Sequence, residues 1–74
     1  MKDFGFFFFS NESQEPPHIH VEHAERVAKF WLESVELAES SGFRSNELTK
    51  VREMVVVHRA MFMEKWLEHF GSQG

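Results

Sequence analysis

The sequence predicts an α+β fold: a small antiparallel sheet of three to four strands with one long C-terminal helix packed on one face. Three observations point there. Up to about residue 40, apolar and polar residues alternate with a period of two and are interrupted by turn-forming residues. From 45 to 70 there is no Gly or Pro, apolar residues recur every three to four positions, and Gly71 is a natural stop. The chain has 74 residues, which suits one domain over 1–74, with strands at about 3–40 and the helix at about 45–70.

The first strand is expected over Asp3 to Ser10. Phe4, Phe6 and Phe8 share one face, and Phe7 and Phe9 share the other. Apolar residues on both faces predict a central strand or one covered on both sides. The Ser, Asn and Pro of "SNESQEPP" predict a loop. Pro16 and Pro17 have no N–H for a sheet ladder, so pairing should begin after them. His18 to Glu22 then alternates, with Ile19 and Val21 inward and His18, His20 and Glu22 opposite. A turn at 23–25, which includes His23, leads to a strand over Arg26 to Leu32. Its faces are Ala28, Phe30 and Leu32 against Val27, Lys29 and Trp31. "SVELAES" fits a short fourth strand or a helical turn, and "SGF" ends either. Ser45 is the expected N-cap, with Glu47 favoured by the helix dipole.

The helix carries two apolar stripes. Leu48, Val51, Val55, Phe62 and Trp66 should pack on the sheet. Met54, Val57 and Met61 form a second stripe roughly 100° away on the wheel. That stripe is available to a protein partner or a second copy of the chain, unless curved packing buries it too.

Composition narrows the class. Hydrophobic residues are 42%, with nine Phe, two Trp and no Tyr, and large aromatics bury much area in a short chain. Without Cys there is no disulfide framework and no thiolate metal site. No apolar run is long enough to span a membrane. "FGFFFF" follows an acidic Asp3 and lacks a small-residue cleavage site, so a cytoplasmic location is expected. Net charge is −4: residues 1–43 carry three basic side chains against eight acids, and residues 44–74 carry five against four. No broad basic patch favours nucleic acid, and no aromatic-basic platform is evident.

The candidate site is "EPPHIHVEH". His18 and His20 are two apart on a strand, so the residues lie roughly 6.5–7 Å apart and point the same way. Such a pair can act as base and acid, with Arg59 directed at a phosphate and Arg26 or Lys29 binding the substrate. With Glu22 it can instead hold a divalent metal such as zinc. A polar row is equally what a wet strand face presents, and Arg59 can simply lay its stem on the core. His69 is accounted for by the helix C-terminus.

"FFFFSNESQEPPHIHVEHAERVAKFWLESVELAESSGF" and the helix after it resemble a bacterial family known as domain of unknown function 4160. The resemblance covers nearly the whole chain. Its most specific parts are Pro16 to Val21, "AKFWL" and "VELAESSGF". It implies a small protein partner encoded nearby, in family 2442, and a toxin–antitoxin-type pairing with possible action on RNA. "VVVHRAMFMEKW" is more apolar than the family pattern, which fits a protein-binding helix face. Three functions follow as expectations: a toxin–antitoxin component acting on RNA, a non-enzymatic interaction module with structural histidines, and a metal-binding domain. An enzyme would be either a metal-independent RNase-like hydrolase or one with a metal-dependent His/Glu site.

Overall fold

The structure is a computed structural model and describes residues 4–9 and 14–70. Four strands precede one helix: β1 (Gly5–Phe7), β2 (His18–His23), β3 (Arg26–Trp31), β4 (Leu37–Ser41) and α1 (Ser45–Phe70). The sheet is antiparallel in the order β1-β2-β3-β4. The α+β arrangement is therefore as the period-two and helical patterns predict. "SVELAES" contributes the fourth strand from Leu37 onward.

β2 begins directly after the two prolines, and both of their carbonyls are used. The Leu32 N–H donates to the Pro17 carbonyl at 2.9 Å, and the His18 ring donates to that of Pro16. The β2–β3 hairpin closes through Ala24 and Glu25, with Ala24 at φ 58°. After β4, Gly42 sits at φ 93°, where a Cβ would come within 3.1 Å of Arg26 Cγ. Only glycine meets both demands without strain.

β1 corrects one expectation. Phenylalanine on both faces predicted a central or doubly covered strand, but β1 is at the sheet edge and spans three residues. Each face is used within the chain. Phe6 stacks on Phe62 of α1, with centroids 5.2 Å apart, while Phe7 stacks on His20 of β2 at 5.4 Å. Asp3 and Ser10 lie outside the described residues.

The helix start also moves by one residue. Arg44, not Ser45, is the N-cap: its carbonyl accepts the Leu48 N–H at 2.8 Å. Glu47 reaches back to accept the Arg44 N–H at 2.8 Å, which is half of a capping box. That hydrogen bond, helped by Arg26 3.5 Å away, holds the Glu47 carboxyl below its ordinary 4.5. Val51, Val55, Phe62 and Trp66 are buried, and Leu48 packs at the edge of the core. Each large buried side chain stabilises by roughly 1.5–3 kcal/mol. They meet Ile19, Val21, Ala28, Phe30, Leu32 and Val35 from the sheet side.

The helix outruns the sheet. Its 26 residues extend about 39 Å at 1.5 Å each, whereas six-residue strands reach only about 20 Å. It starts beside the β2–β3 hairpin, where Arg26 meets Glu47. Its last turns therefore pass over the other end of the sheet, where β2 begins.

Candidate functional site

At that end the histidine row takes its real form. His18 keeps the side that strand parity predicted, beside His20 and its cross-strand partner Trp31, but it is 0% exposed, so that end of the face is covered and not open. As the first residue of β2 it meets the helix overhang. Its ring lies 4.9 Å from that of Trp66 and 5.8 Å, edge-on, from Trp31. Phe8 packs on the same Trp66, which in turn contacts Phe70. The His18 Nδ1–H donates to the Pro16 carbonyl at 2.9 Å, and the Glu15 carboxylate is 3.9 Å from that nitrogen. His20 is half-buried between Phe7 and Phe9, at 5.4 and 5.0 Å. The two histidines are adjacent, with ring centroids 5.1 Å apart.

The other predicted site residues separate. Arg59 donates through Nε to the Leu32 carbonyl and through a terminal nitrogen to that of Glu33, at 3.2 Å. Arg52, seven residues earlier on the same side of α1, donates to the Val35 carbonyl at 3.0 Å. Together they hold the β3–β4 connection, in which Val35 is buried at φ 55°, an unusual conformation for a β-branched residue. Arg26 pairs with His23 across the hairpin, five residues along β3 from Trp31. It is thus about 17 Å from the His18 end, and on the helix side with Glu47. Lys29 is on the opposite face, so the two cations cannot clasp one phosphate. Lys29 is itself engaged: its ammonium is 2.5 Å from Glu15 and 4.8 Å above the Trp31 ring, and it is 8% exposed.

The metal set does not form either. Glu22 is exposed two residues beyond His20. No three His, Asp or Glu side chains among the described residues are grouped to hold a metal ion. His23, placed in the turn by its sequence position, ends β2 and stacks on Phe4 at 4.4 Å.

On α1, Val57 is 75% exposed and Met61 46%, while Met54 is partly buried against the core. Met61 borders a groove of about 650 Å³ between the helix and the edge strand. Phe6, Phe7, Phe8, Ile19 and Phe62 form its apolar walls, and His58, Lys65, Glu68 and His69 its polar rim. Sequence reasoning did not find this groove, because it depends on β1 lying at the sheet edge. Among the described residues no helix is long and apolar enough to cross a membrane.

Residues 4–67 match the family model "Domain of unknown function (DUF4160)". The chain belongs to that family. Comparison with curated proteins and with solved structures gives no match.

Proposed function

We propose that this DUF4160 member is a single-domain, non-enzymatic interaction module, the binding component of a toxin–antitoxin-type pair with a second small protein. The observation that supports it is the exposed apolar strip of Val57 and Met61 beside the groove under β1. Apolar surface at a concave site attracts a partner's apolar side chains. The occupant is an amphipathic helix of the partner, which lays its apolar face in the groove.

The hydrolytic reading has less support. His18 is enclosed by two tryptophans, Arg59 is engaged with backbone carbonyls, and Lys29 is engaged with Glu15. A base needs access to the proton it takes, and a fully buried ring packed against Trp66 offers little.

The test is calorimetric titration with a purified small protein of family 2442, the partner class that the family resemblance implies. Met61→Asp buries a charge in the apolar contact and is expected to weaken binding at least about tenfold. His20→Ala, on the far side of the sheet, should leave it within about twofold. Equal binding by Met61→Asp and wild type would remove this reading.

A further inference from the structure

The sheet face turned away from the helix carries a composition that only the strand register reveals. Phe7, His20, Lys29 and Glu39 are consecutive partners across all four strands. The next row is Gly5, Glu22, Val27 and Ser41. Phe9 and Trp31 flank the rows, Phe9 being 53% exposed and Trp31 half-buried. The sequence showed no aromatic platform because its members lie on three separate strands.

Charge decides what such a face accepts. Its one cation among the described residues, Lys29, is paired with Glu15. Glu22 and Glu39 are exposed and have no ion-pair partner among the described residues. Among the described residues, a phosphate backbone would meet carboxylates and no unpaired cation. A guanidinium would meet the opposite: a ring to stack on and a carboxylate to fork onto. Gly5 gives the approach its shape. It pairs with Glu22 two residues before Phe7, and among the described residues beyond its chain neighbours a Cβ built there meets only the Glu22 carbonyl, at 3.9 Å. Gly5 itself puts no side chain between the Phe7 ring and the Glu22 carboxylate. Beside it is a shallow pit lined by His20, Val27, Lys29, Glu39 and Ser41.

We propose that this open face docks an arginine-bearing extended segment of a partner protein, one guanidinium stacking on Phe7 beside Glu22 and a second reaching Glu39. The carboxylates it uses, Glu22 and Glu39, lie outside the helix groove, although Phe7 at the sheet edge also lines that groove.

The test uses the full chain and three defined probes at low salt: an octapeptide of alternating Arg and Ser, the same peptide with Lys, and a deca-uridine oligonucleotide. Amide shifts are followed by NMR. The Arg peptide should move the amides of Phe7, His20, Glu22 and Glu39, bind several-fold tighter than the Lys peptide, and weaken with salt. The double variant Glu22→Gln/Glu39→Gln changes only exposed side chains, so it should fold. It should lose at least about fivefold in affinity for the Arg peptide. Three results would overturn the proposal: no open-face shifts with the Arg peptide, unchanged binding by the double variant, or preferential binding of deca-uridine. Shifts confined to residues around Met61 would leave the groove reading standing and remove this one.

Discussion

His18→Ala is expected to lower folding stability by about 3 kcal/mol. The ring is fully buried between Trp31 and Trp66, and its Nδ1–H is bonded to the Pro16 carbonyl. Truncation leaves a cavity beside two tryptophans and a lost hydrogen bond, each with its own cost. A domain of this size has roughly 4–11 kcal/mol in total, so the loss is a large share. His18→Phe keeps a ring of similar shape and should cost less than alanine. Urea unfolding followed by tryptophan fluorescence measures both, since Trp66 and Trp31 report on the site directly. A purely chemical His18 makes a different prediction: both substitutions abolish function equally and leave the unfolding midpoint in place.

Arg59→Ala is expected to cost about 2 kcal/mol. Its guanidinium joins the middle of α1 to the Leu32 and Glu33 carbonyls, and hydrogen bonds from a charged donor are worth about 1.5–3 kcal/mol. The connection they hold contains Val35, buried in a left-handed conformation that by itself is unfavourable. Arg59→Lys should recover less than half, because an ammonium cannot reproduce the fork geometry that spans two carbonyls. Hydrogen exchange should locate the effect, with faster exchange at 32–36 and little change in β2. Faster exchange spread evenly over the molecule, or no stability loss, would contradict a holding role for Arg59.

Much of the fold was legible because it rests on period. Ile19 and Val21, then Ala28, Phe30 and Leu32, then Val51, Val55, Phe62 and Trp66 are buried where period two and period 3.6 place them. What was not legible depends on lengths and ends. Parity puts His18 with His20, and parity holds where a strand is flanked by sheet. At the first residue of β2 the side is kept, but the helix overhang covers it through Trp66, and that overhang comes from the mismatch between a 26-residue helix and short strands. The Phe-rich β1 misled for a related reason. Two apolar faces usually mean burial inside a sheet, but here one face meets Phe62 and the other His20. The one-residue shift of the helix cap shows the same limit, since Glu47 selects Arg44 by a backbone hydrogen bond that either register of the sequence allows.

The candidate site was half legible. The adjacency of His18 and His20 follows from their spacing, and the structure keeps it at 5.1 Å. The roles given to Arg26, Lys29 and Arg59 needed tertiary information. Arg26 and Lys29 are three apart on a strand and so face opposite ways, a parity clue present in the sequence. The Glu15–Lys29 pair is invisible there, because it depends on how the chain enters β2 through the two prolines.

The proposed interaction module requires His18 to be part of the interior frame, packed between Trp31 and Trp66. Diethyl pyrocarbonate modification of the native chain, read residue by residue with mass spectrometry, tests that most directly. His58 and His69 are exposed and should be modified readily. His18 should react at least about tenfold more slowly, since the reagent reaches it only through local opening. Modification of His18 as fast as His58 would contradict the account and return the histidine pair to chemistry.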